Sequence, residues 1–517
     1  MARALGLSYT AYESKFELRI IMLCSMAGTL MQALDTTIAN VALPYMQGSL
    51  AASRDQITWV LTSYIVASAI MTAPVGWLSA RFGRKNFAIV CIGGFTIMSM
   101  MCGAAQNLDQ MILFRLLQGA FGAALSPLSQ SIMLDLYPPQ QRGNVMAIWG
   151  MGVMVGPILG PTLGGYLTDA YNWRWVFYIN LPFGIAAVTG IWLFLRDTHR
   201  DVTLRFDWVG FAFLGIALGG LQLMLDRGTD KAWFESTEIV AEAVIGALGL
   251  YLFIVQMFMT DRPFIPRELF KDRNFVFSLF LMFVVGLVML ASSALLPPYL
   301  QSLGGYSVTD TGLLMAPRGV GTMIAMVLAG RIAMRVDARY LMAGGACMIL
   351  WSLWEMSKWT PSIAPMTMVE VTFVQGVGMG FVFVPMNLVA FATLAPAYRT
   401  DGSAMINLMR NIGMAIGVSL TTTVLASGIQ IAHANLATHV STFNRMLSTG
   451  MPGMMWNPSL PFGVQQINSV VENNAQVIAY SNDFIFMMIS CAPALLVILM
   501  MRRPALLAPN EKLEISE

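Results

Sequence analysis

Long apolar runs alternate with short polar segments along the whole of this 517-residue chain. Fourteen of these runs hold about 20 residues, the length that an α-helix needs to cross the hydrocarbon core of a bilayer. They cover residues 20-44, 57-80, 86-105, 109-134, 142-168, 174-195, 206-225, 237-259, 274-298, 310-333, 339-356, 364-393, 401-427 and 479-501. The pattern predicts an all-α membrane protein with 14 transmembrane helices.

The composition excludes a soluble protein. Of the residues, 56% are hydrophobic and 11% are charged, whereas about a quarter of the residues in soluble domains are charged. The net charge is only +2, and the Lys and Arg residues are dispersed, which argues against a nucleic-acid partner. The five cysteines lie in apolar runs at scattered spacing, so neither disulfides nor a metal site are predicted.

The cationic residues fall mainly in alternate loops. Cytoplasmic loops of membrane proteins are enriched in Lys and Arg, so both termini are expected in the cytoplasm. The cationic residues left outside are Arg54, Arg174, Arg227, Lys231, Lys358 and Arg445. The first apolar run is long and lacks a small-residue cleavage pattern, so it is expected to remain as the first transmembrane helix.

The two halves of the chain resemble each other at an offset of about 255 residues, as in transporters built from parallel repeats. The matched positions are Gly76 and Gly330, Arg81 and Arg335, Gln118 and Gln375, and Arg142 and Arg399. The predicted plan is a cytoplasmic N-terminus (1-19), a six-helix bundle (20-200), two inserted helices (201-262), a second bundle (263-501) with an outer loop (428-478), and a cytoplasmic tail (502-517). A substrate cavity between the bundles follows from this plan.

The fifth apolar run carries small residues at a spacing of four, together with two prolines. Glycines four apart give a helix a flat face that a neighbour can approach closely, and proline kinks the helix. The residues concerned are Gly152, Gly156, Pro157, Gly160, Pro161, Gly164 and Gly165. The pattern favours a pivot, although tight helix packing without movement would explain the same residues.

Four charged residues lie deep in apolar runs: Asp35, Arg115, Arg318 and Arg410. Such charges are expensive in a membrane and mark functional sites by default. Asp35 and Arg115 both lie roughly 9 to 14 Å from the outer end of their helices, so they are able to meet and to couple proton movement to transport. A static ion pair that braces two helices is the alternative. Arg410 is expected either to contact an anionic group of a substrate or to serve a structural purpose.

Several polar residues inside the apolar runs are candidates for a substrate cavity. They are Gln32, Thr36, Asn40, Gln118, Gln130, Gln375, Asn387, Asn407 and Arg410. The 41 methionines suit an adaptable apolar cavity because methionine is flexible and polarizable. Since intramembrane arginines outnumber the clearest intramembrane acid, an anionic or uncharged amphipathic substrate is at least as plausible as a cationic one.

The turn after the second helix is rich in glycine and cations, at Gly76, Arg81, Gly83, Arg84 and Lys85. Glycine permits a tight bend, and the cations are candidates for a gate that latches onto the carbonyls at helix C-termini. A topology signal alone would also explain the charges.

This turn resembles the loop signature of the major facilitator superfamily. One position departs from it, because Ala80 stands where the family usually has aspartate. The charge relay that the family assigns to that aspartate is therefore not expected here. The substitution Ala80→Asp is expected to restore the usual latch.

Further motifs resemble the signatures of fourteen-helix drug:proton antiporters of the EmrB/QacA type. They lie at residues 34-44, 115-119, 152-165, 173-182 and 410-413. The resemblance implies the major facilitator fold in a 6+2+6 arrangement with two pseudo-symmetric bundles. It also implies a proton-driven antiporter of the bacterial inner membrane that exports amphipathic toxic compounds and contributes to antibiotic resistance, with Asp35 and Arg115 as the proton-coupling residues.

Residues 225-228, followed by Trp233 and Phe234, together with the outer segment near 428-478, resemble most the EmrB subgroup. Members of that subgroup work with a periplasmic membrane-fusion adaptor of the EmrA type and an outer-membrane channel. The outer segment is expected either to contact such an adaptor or to be a plain polar linker. His433 and His439 within it are six residues apart, which is poor support for a metal site.

Two other functions fit less well. A dedicated proton-coupled exporter or importer of one metabolite, such as a fatty acid, sugar or siderophore, would share most of these features. A membrane-embedded enzyme or sensor is disfavoured because the sequence has no nucleotide-binding loop, metal cluster or soluble domain. No cofactor is expected, and the proton gradient rather than ATP is the expected energy source.

Overall fold

The computed structural model describes residues 14–138, 141–196, 206–228, 231–260, 263–333, 335–395, 398–440 and 461–502, and within these ranges it is helical apart from turns and connecting segments. The helices of the first half are α1 (Lys15–Ser49), α2 (Arg54–Ile57), α3 (Trp59–Thr72), α4 (Val75–Phe82), α5 (Arg84–Ala104), α6 (Leu108–Gly122), α7 (Leu125–Leu136), α8 (Arg142–Ala170), α9 (Trp175–Tyr178) and α10 (Asn180–Phe194). Then follow α11 (Trp208–Arg227), α12 (Thr237–Met259), α13 (Arg273–Pro298), α14 (Val308–Ile332), α15 (Ala338–Met356), α16 (Pro365–Ala392), α17 (Arg399–Ala437), α18 (Pro461–Cys491) and α19 (Pro493–Met500). A π-helical segment (Tyr299–Leu303) follows α13.

Short polar residues begin many of these helices. The Asn107 side chain accepts a hydrogen bond from the backbone N–H of Gln110, at 2.9 Å, and so caps α6. Ser53 and Gln56 form a reciprocal capping box at the start of α2. Side-chain caps of this kind satisfy backbone donors that the first turn of a helix leaves free, which fixes where the helices enter the apolar layer.

Within the described ranges, 11 helices are long and apolar enough to cross a membrane, or 12 when α3 and α4 are joined across their 61° bend. Two further helices match predicted spans, namely α8 with 29 residues and α15 with 19 residues. Both are long enough to span about 30 Å, but α8 is rich in glycine and α15 has charged residues near its ends. The count of fourteen therefore stays a prediction.

The outer segment predicted as a loop at 428-478 is partly helical. Helix α17 continues to Ala437 and α18 already begins at Pro461, so a large part of the segment extends two transmembrane helices. Small residues permit the pairing, because Gly428 of α17 lies against the buried Ala479 of α18. Residues 428–437 and 461–478 are therefore helical where a loop was predicted, whereas residues 441–460 lie outside the described ranges.

Hydrogen bonds between distant parts of the chain define one face of the bundle. The Tyr137 hydroxyl, just after α7, donates to the carbonyl of Leu18 near the start of α1. The Asn274 amide, at the start of α13, donates to the carbonyl of Arg502 near the end of the described chain. We call this side, where α1 and α13 begin and α19 ends, the terminal face, and the other side the opposite face.

The two halves repeat one helix crossing. In the first half α1 crosses α8, and in the second half α13 crosses α17. Glycines permit both close approaches, since a Cβ atom at Gly156 would lie 2.5 Å from Ala33 and one at Gly413 would lie 2.1 Å from the carbonyl oxygen of Phe283. Helices α11 and α12 pack mainly on each other. The exact bundle boundaries at 20-200, 201-262 and 263-501 stay predictions.

The α1–α8 crossing supplies a test. Gly156→Ala is expected to destabilise the protein by about 1–3 kcal/mol, because the new methyl group overlaps the backbone of Ala33. The measurement is thermal unfolding of the purified protein in detergent. Gly165→Ala is the matched control, since a Cβ atom there meets nothing within 4 Å. Equal stability of both variants would show that the crossing tolerates added volume.

Candidate functional site

A buried ion pair lies between α1 and α6. Arg115 Nη1 is 2.6 Å from Asp35 Oδ2, and Gln118 Nε2 donates to Asp35 Oδ1 at 2.9 Å. Arg115 Nη1 also donates to Gln118 Oε1 at 2.9 Å, while its Nε donates to the carbonyl of Val60 at 3.0 Å. All three charged or amide side chains are fully buried. The structure thus brings together Asp35 and Arg115, as their estimated depths allow.

Aromatic rings complete the surroundings of this pair. The Arg115 guanidinium carbon is 4.2 Å from the centroid of the Tyr64 ring and 5.7 Å from that of Phe177. Cations over aromatic faces are stabilised, more so when water is excluded. Arg115 Nη2 and the Tyr64 hydroxyl have no hydrogen-bond partner among the described residues. The site therefore holds two donors that are free to bind a water or a ligand group in another arrangement.

The glycine face of α8 packs against the residues of α1 that precede and follow Asp35 in the chain. A Cβ atom at Gly160 would be 2.0 Å from Thr37 Oγ1, and one at Gly164 would be 2.9 Å from Ile38 Cγ1. The Thr37 hydroxyl also donates to the carbonyl of Gly156, at 3.1 Å. Any rotation of α8 against α1 therefore acts on the segment that carries Asp35.

The other residues of the predicted pivot differ in placement. Gly152 lies near only the flexible end of Met26, and Gly165 faces open space. The side chains of Pro157 and Pro161 lie outside the described residues. Only part of the motif thus forms the close contact with α1.

A second charge cluster bridges the two halves at the terminal face. Asp135, at the end of α7, accepts hydrogen bonds from Arg84 at the start of α5 and from Arg399 at the start of α17. Each arginine binds a different oxygen of the carboxylate, and all three residues are buried. Arg142 packs nearby and donates to the carbonyl of Leu134, at 3.1 Å. One carboxylate thereby joins the first half to the second.

The turn predicted as a gating loop, residues 76-85, contacts the second half directly. A Cβ atom at Gly76 would lie 1.6 Å from Oδ1 of Asp401, in the first turn of α17, so only glycine leaves room for this carboxylate. Arg84 interacts electrostatically with Asp401. Ala80 lies one helical turn after Gly76 on the same face of α4. Asp401 therefore places a carboxylate about one helical turn from Ala80, the position at which the family usually has aspartate.

The rest of the loop has a backbone constraint and two further cations. Gly83 has φ of 83°, a conformation that glycine adopts without steric cost, and it separates α4 from α5. Arg81 and Lys85 are half-buried. At the repeated position in the second half, a Cβ atom at Gly330 would lie 2.6 Å from the carbonyl oxygen of Gly143 in α8, so glycine permits a close approach between the halves there too.

The predicted cavity residues divide into three groups. Asn387 and Asn407 form hydrogen bonds that join the two halves. Gln130 Nε2 donates to Asn387 Oδ1 at 2.7 Å, and the Ser126 hydroxyl donates to Asn407 Oδ1 at 3.0 Å. The Ser403 hydroxyl adds a third hydrogen bond between the halves by donating to Gln130 Oε1, at 2.7 Å. Gln118 belongs to the Asp35 site, as described above.

The third group lies outside both of these clusters. Thr36 and Asn40 are exposed and Gln32 is half-buried, and their spacing of four places them along one face of α1. Gln375 is buried and its Oε1 has no partner among the described residues. Arg410 is buried, with Nε and Nη1 likewise lacking partners in the described part of the chain.

Arg318 is more fully satisfied. Its guanidinium donates to the Ser293 hydroxyl at 3.2 Å and to the carbonyl of Met289 at 3.1 Å. Among the described residues, no group of three or more His, Cys, Asp or Glu side chains is placed to hold a metal ion.

The inserted helices attach to both halves near the opposite face. Asp226, at the end of α11, accepts a hydrogen bond from Thr62 of α3. The neighbouring carbonyl of Leu225 accepts one from Ser419 of α17, at 2.9 Å. The Arg227 guanidinium carbon is 5.7 Å from the Trp59 ring centroid and pairs with Glu238. Residues 225-228 thus connect α3 with α17.

Sequence reasoning missed Asp135, Asp401, Ser126 and Ser403. Asp135 ends an apolar run and stands shortly before Arg142, so it reads as an ordinary residue at the membrane surface. Its two arginine partners come from positions 51 and 264 residues away in the chain. Of the sequence features, only the internal repeat, which aligns Arg142 with Arg399, indicated that charged residues of the two halves lie at the same level of the bundle.

A helical bundle with buried ion pairs and glycine-lined crossings is consistent with a membrane transporter. Residues 25–418 match the family model of the Major Facilitator Superfamily, and the chain belongs to that superfamily.

Three relatives support this membership. The chain is 36% identical to the Multidrug export protein EmrB of Escherichia coli (strain K12) over 430 residues, which cover 83% of this chain and 84% of EmrB. It is 33% identical to the Probable multidrug resistance protein EmrY of the same strain, over 91% of this chain and 92% of EmrY. It is 34% identical to the Fatty acid resistance protein FarB of Neisseria gonorrhoeae, over 81% of this chain and 82% of FarB. The predicted EmrB/QacA type is confirmed.

Solved structures agree on the fold. The chain resembles the proton:xylose symporter XylE with a TM-score of 0.58 and 14% identity, over 92% of this chain and 95% of that one. It resembles the human organic anion transporter MFSD10 with a TM-score of 0.56 and 14% identity, over 92% of this chain and 99% of that one. The predicted all-α major facilitator fold is confirmed.

The contact between Asp401 and Gly76 reverses the expected effect of Ala80→Asp. A second carboxylate one turn from Gly76 is expected to repel Asp401 and to open the terminal face. The measurement is maleimide labelling of Ala404→Cys, since Ala404 of α17 is buried among residues of the first half. Cys347, which is exposed, is replaced by serine in the background. We expect labelling to become several-fold faster with Ala80→Asp.

Adding Asp401→Asn is the control for this experiment. It removes the repulsion, so labelling of the combined variant is expected to return towards the rate of the parent. Slower labelling with Ala80→Asp alone would instead support a restored latch, as the sequence resemblance implied.

Proposed function

We propose that the protein is a proton-driven multidrug efflux antiporter that exports amphipathic toxic compounds across the bacterial inner membrane by alternating access. The observation that carries the proposal is the Asp35–Arg115–Gln118 site, buried beside the glycine crossing of α1 and α8. The names of the relatives EmrB and EmrY support multidrug export.

The terminal face corresponds to the cytoplasmic side in this proposal. Arginines and lysines concentrate in the loops on that side, as the positive-inside rule requires. Asp135, with its two arginine partners, and the Gln130–Asn387 and Ser126–Asn407 hydrogen bonds close the cytoplasmic side in the conformation described. Transport requires a second conformation in which these contacts between the halves break.

Proton coupling follows from the surroundings of Asp35. The polar face of α1 formed by Gln32, Thr36 and Asn40 is adjacent to Asp35 and offers a hydrated route, since exposed polar groups at membrane depth favour water-filled cavities over lipid. When water reaches Asp35 the carboxylate takes up a proton and loses its ionic attraction to Arg115. The freed guanidinium keeps its hydrogen bond to the carbonyl of Val60. Rotation of α8 against α1 then carries Asp35 to the other aqueous phase, where the proton leaves.

Arg410 supports anionic compounds as a class of substrate. It is a buried cation with two unpartnered donor atoms among the described residues, and such a group attracts an anionic or strongly accepting ligand atom. The name of the relative FarB, a fatty acid resistance protein, supports anionic amphiphiles among the substrates. The same observation also supports one alternative function, a dedicated proton-coupled exporter of a single acidic metabolite.

The pump is proposed to work with an EmrA-type periplasmic adaptor and an outer-membrane channel. Helix α17 has 39 residues, about 58 Å of helix, against a hydrocarbon core of about 30 Å. Its end and the start of α18 therefore project from the opposite face as a helical hairpin. This hairpin exposes Ile431, Phe462 and Val464, an apolar surface that suits a helical adaptor.

The test is substrate-induced proton movement in proteoliposomes that carry a pH gradient, with a panel of anionic, neutral and cationic amphiphiles. Asp35→Asn is expected to reduce proton movement to the level of empty liposomes, because the amide neither takes up nor releases a proton at the pH of the experiment. Asp169→Asn is the matched control, since Asp169 is exposed near the end of α8 and bonds Tyr45; its activity is expected to equal the wild type.

The outcomes separate the candidate functions. Proton movement with several chemically unlike compounds supports the multidrug antiporter, and movement with one acidic compound alone supports the dedicated exporter. Coupled transport that persists in Asp35→Asn would contradict the proposed coupling site.

A further inference from the structure

Another carboxyl group is buried in the second half, far from Asp35 in the sequence. Asp483 of α18 has no exposed surface, and neither of its carboxyl oxygens has a hydrogen-bond partner among the described residues. An ionised carboxylate buried without partners costs several kcal/mol, and such groups neutralise instead. Unsatisfied buried polar groups are rare in native structures and point to function.

Aromatic side chains cluster at the level of Asp483. The ring of Tyr480, one turn earlier on α18, is 5.2 Å from that of Tyr299, measured between centroids. Trp359 is 6.0 Å from Tyr299 and 6.3 Å from Phe484. The Tyr299 hydroxyl and the Trp359 indole N–H also lack partners within the described ranges. The cluster therefore contains two donors and one carboxyl group, none of them satisfied in this conformation.

The ionisable groups on the neighbouring elements have partners of their own or are distant. At the end of α15, Lys358 pairs with Glu355 at 3.0 Å and stacks on Trp354. On α17, His433 contacts Asn468 at 3.1 Å, four turns of α18 before Asp483.

The remaining neighbours of α18 supply no offsetting charge either. The charged residue of α13, Arg273, begins that helix at the terminal face, and the π-helical segment contributes only the neutral Tyr299. No ion pair to Asp483 is present among the described side chains.

Asp483 also lies close to the opposite face. Two residues before it, the Ser481 hydroxyl donates to the carbonyl of Ser357, the residue directly after α15. Two residues of helix correspond to about 3 Å. A proton from the aqueous phase on that side has only a short path to the carboxyl group.

We propose that Asp483 is a proton-binding site in the second half of the protein, separate from Asp35, which is occupied by a proton in this conformation and loads from the opposite face. A neutral carboxylic acid removes the cost of a buried unpaired charge. In a conformation that brings the Tyr299 hydroxyl or the Trp359 N–H to the carboxyl oxygens, those donors would stabilise the carboxylate and release the proton. The inference concerns protonation alone and does not depend on the proposed function.

The test is infrared difference spectroscopy of the full-length protein in lipid nanodiscs, titrated from about pH 6 to about pH 9, across which an ordinary exposed aspartate stays ionised. The wild type is expected to show the C=O stretching band of a protonated carboxylic acid near neutral pH. Asp483→Asn is expected to lose this band, whereas Asp35→Asn is expected to keep it. Glu472→Gln is the matched control on the same helix, because Glu472 is only half-buried and lies 4.0 Å from His433; it is expected to keep the band.

Two results would overturn the proposal. One is a spectrum that Asp483→Asn leaves unchanged, and the other is a wild-type band that disappears when sodium is added at constant pH, which would make the group a metal-cation site. If Asp483→Asn does not fold, as circular dichroism would show, Asp483→Glu replaces it and is expected to shift the band. An unshifted band in that variant would equally contradict the proposal.

Discussion

A charge buried at membrane depth is costly unless it is paired, and here one such pairing joins the two halves. Asp135 accepts one arginine from each half, one on each carboxylate oxygen. Removing one partner from a buried pair costs about 3–5 kcal/mol because the other charge is left uncompensated. The cluster holds two arginines against one carboxylate, and Asp401, packed on Gly76, brings a second carboxylate close to Arg84. The contact between the halves at the terminal face therefore depends on the balance of charge among these few residues.

Close packing links this balance to the buried site. The glycines of α8 allow contact with α1 beside Asp35, and the same helix meets α14 of the second half where Gly330 approaches Gly143. Since packed interfaces adopt discrete arrangements rather than deforming continuously, movement of α8 affects both contacts together. The end of α11 joins α3 to α17 near the opposite face, so these hydrogen bonds would have to break before α3 and α17 could separate there.

The sequence was informative where one helix carries the whole signal. Apolar run lengths predicted the helices, and residue depth brought Asp35 level with Arg115. Sequence reasoning failed at the contact between the two halves, because the partners of Asp135 lie far apart in the chain and no local pattern records such a contact. Asn387 and Asn407 were expected in a cavity but join the closure, since one sequence does not fix which face of a helix turns inward. The helical ends of α17 and α18 were missed because polar residues surround their small buried ones, Ala432, Ala475 and Ala479.

The most direct test of alternating access is the distance between the halves at the terminal face. Spin labels at Phe82→Cys and Tyr340→Cys, both exposed positions, in a Cys347→Ser background report it by pulsed electron paramagnetic resonance. The account predicts a short distance in the conformation described and a second, longer one that grows with substrate and dominates in Asp135→Ala. A single short distance, unchanged by substrate, by pH or by Asp135→Ala, would contradict it.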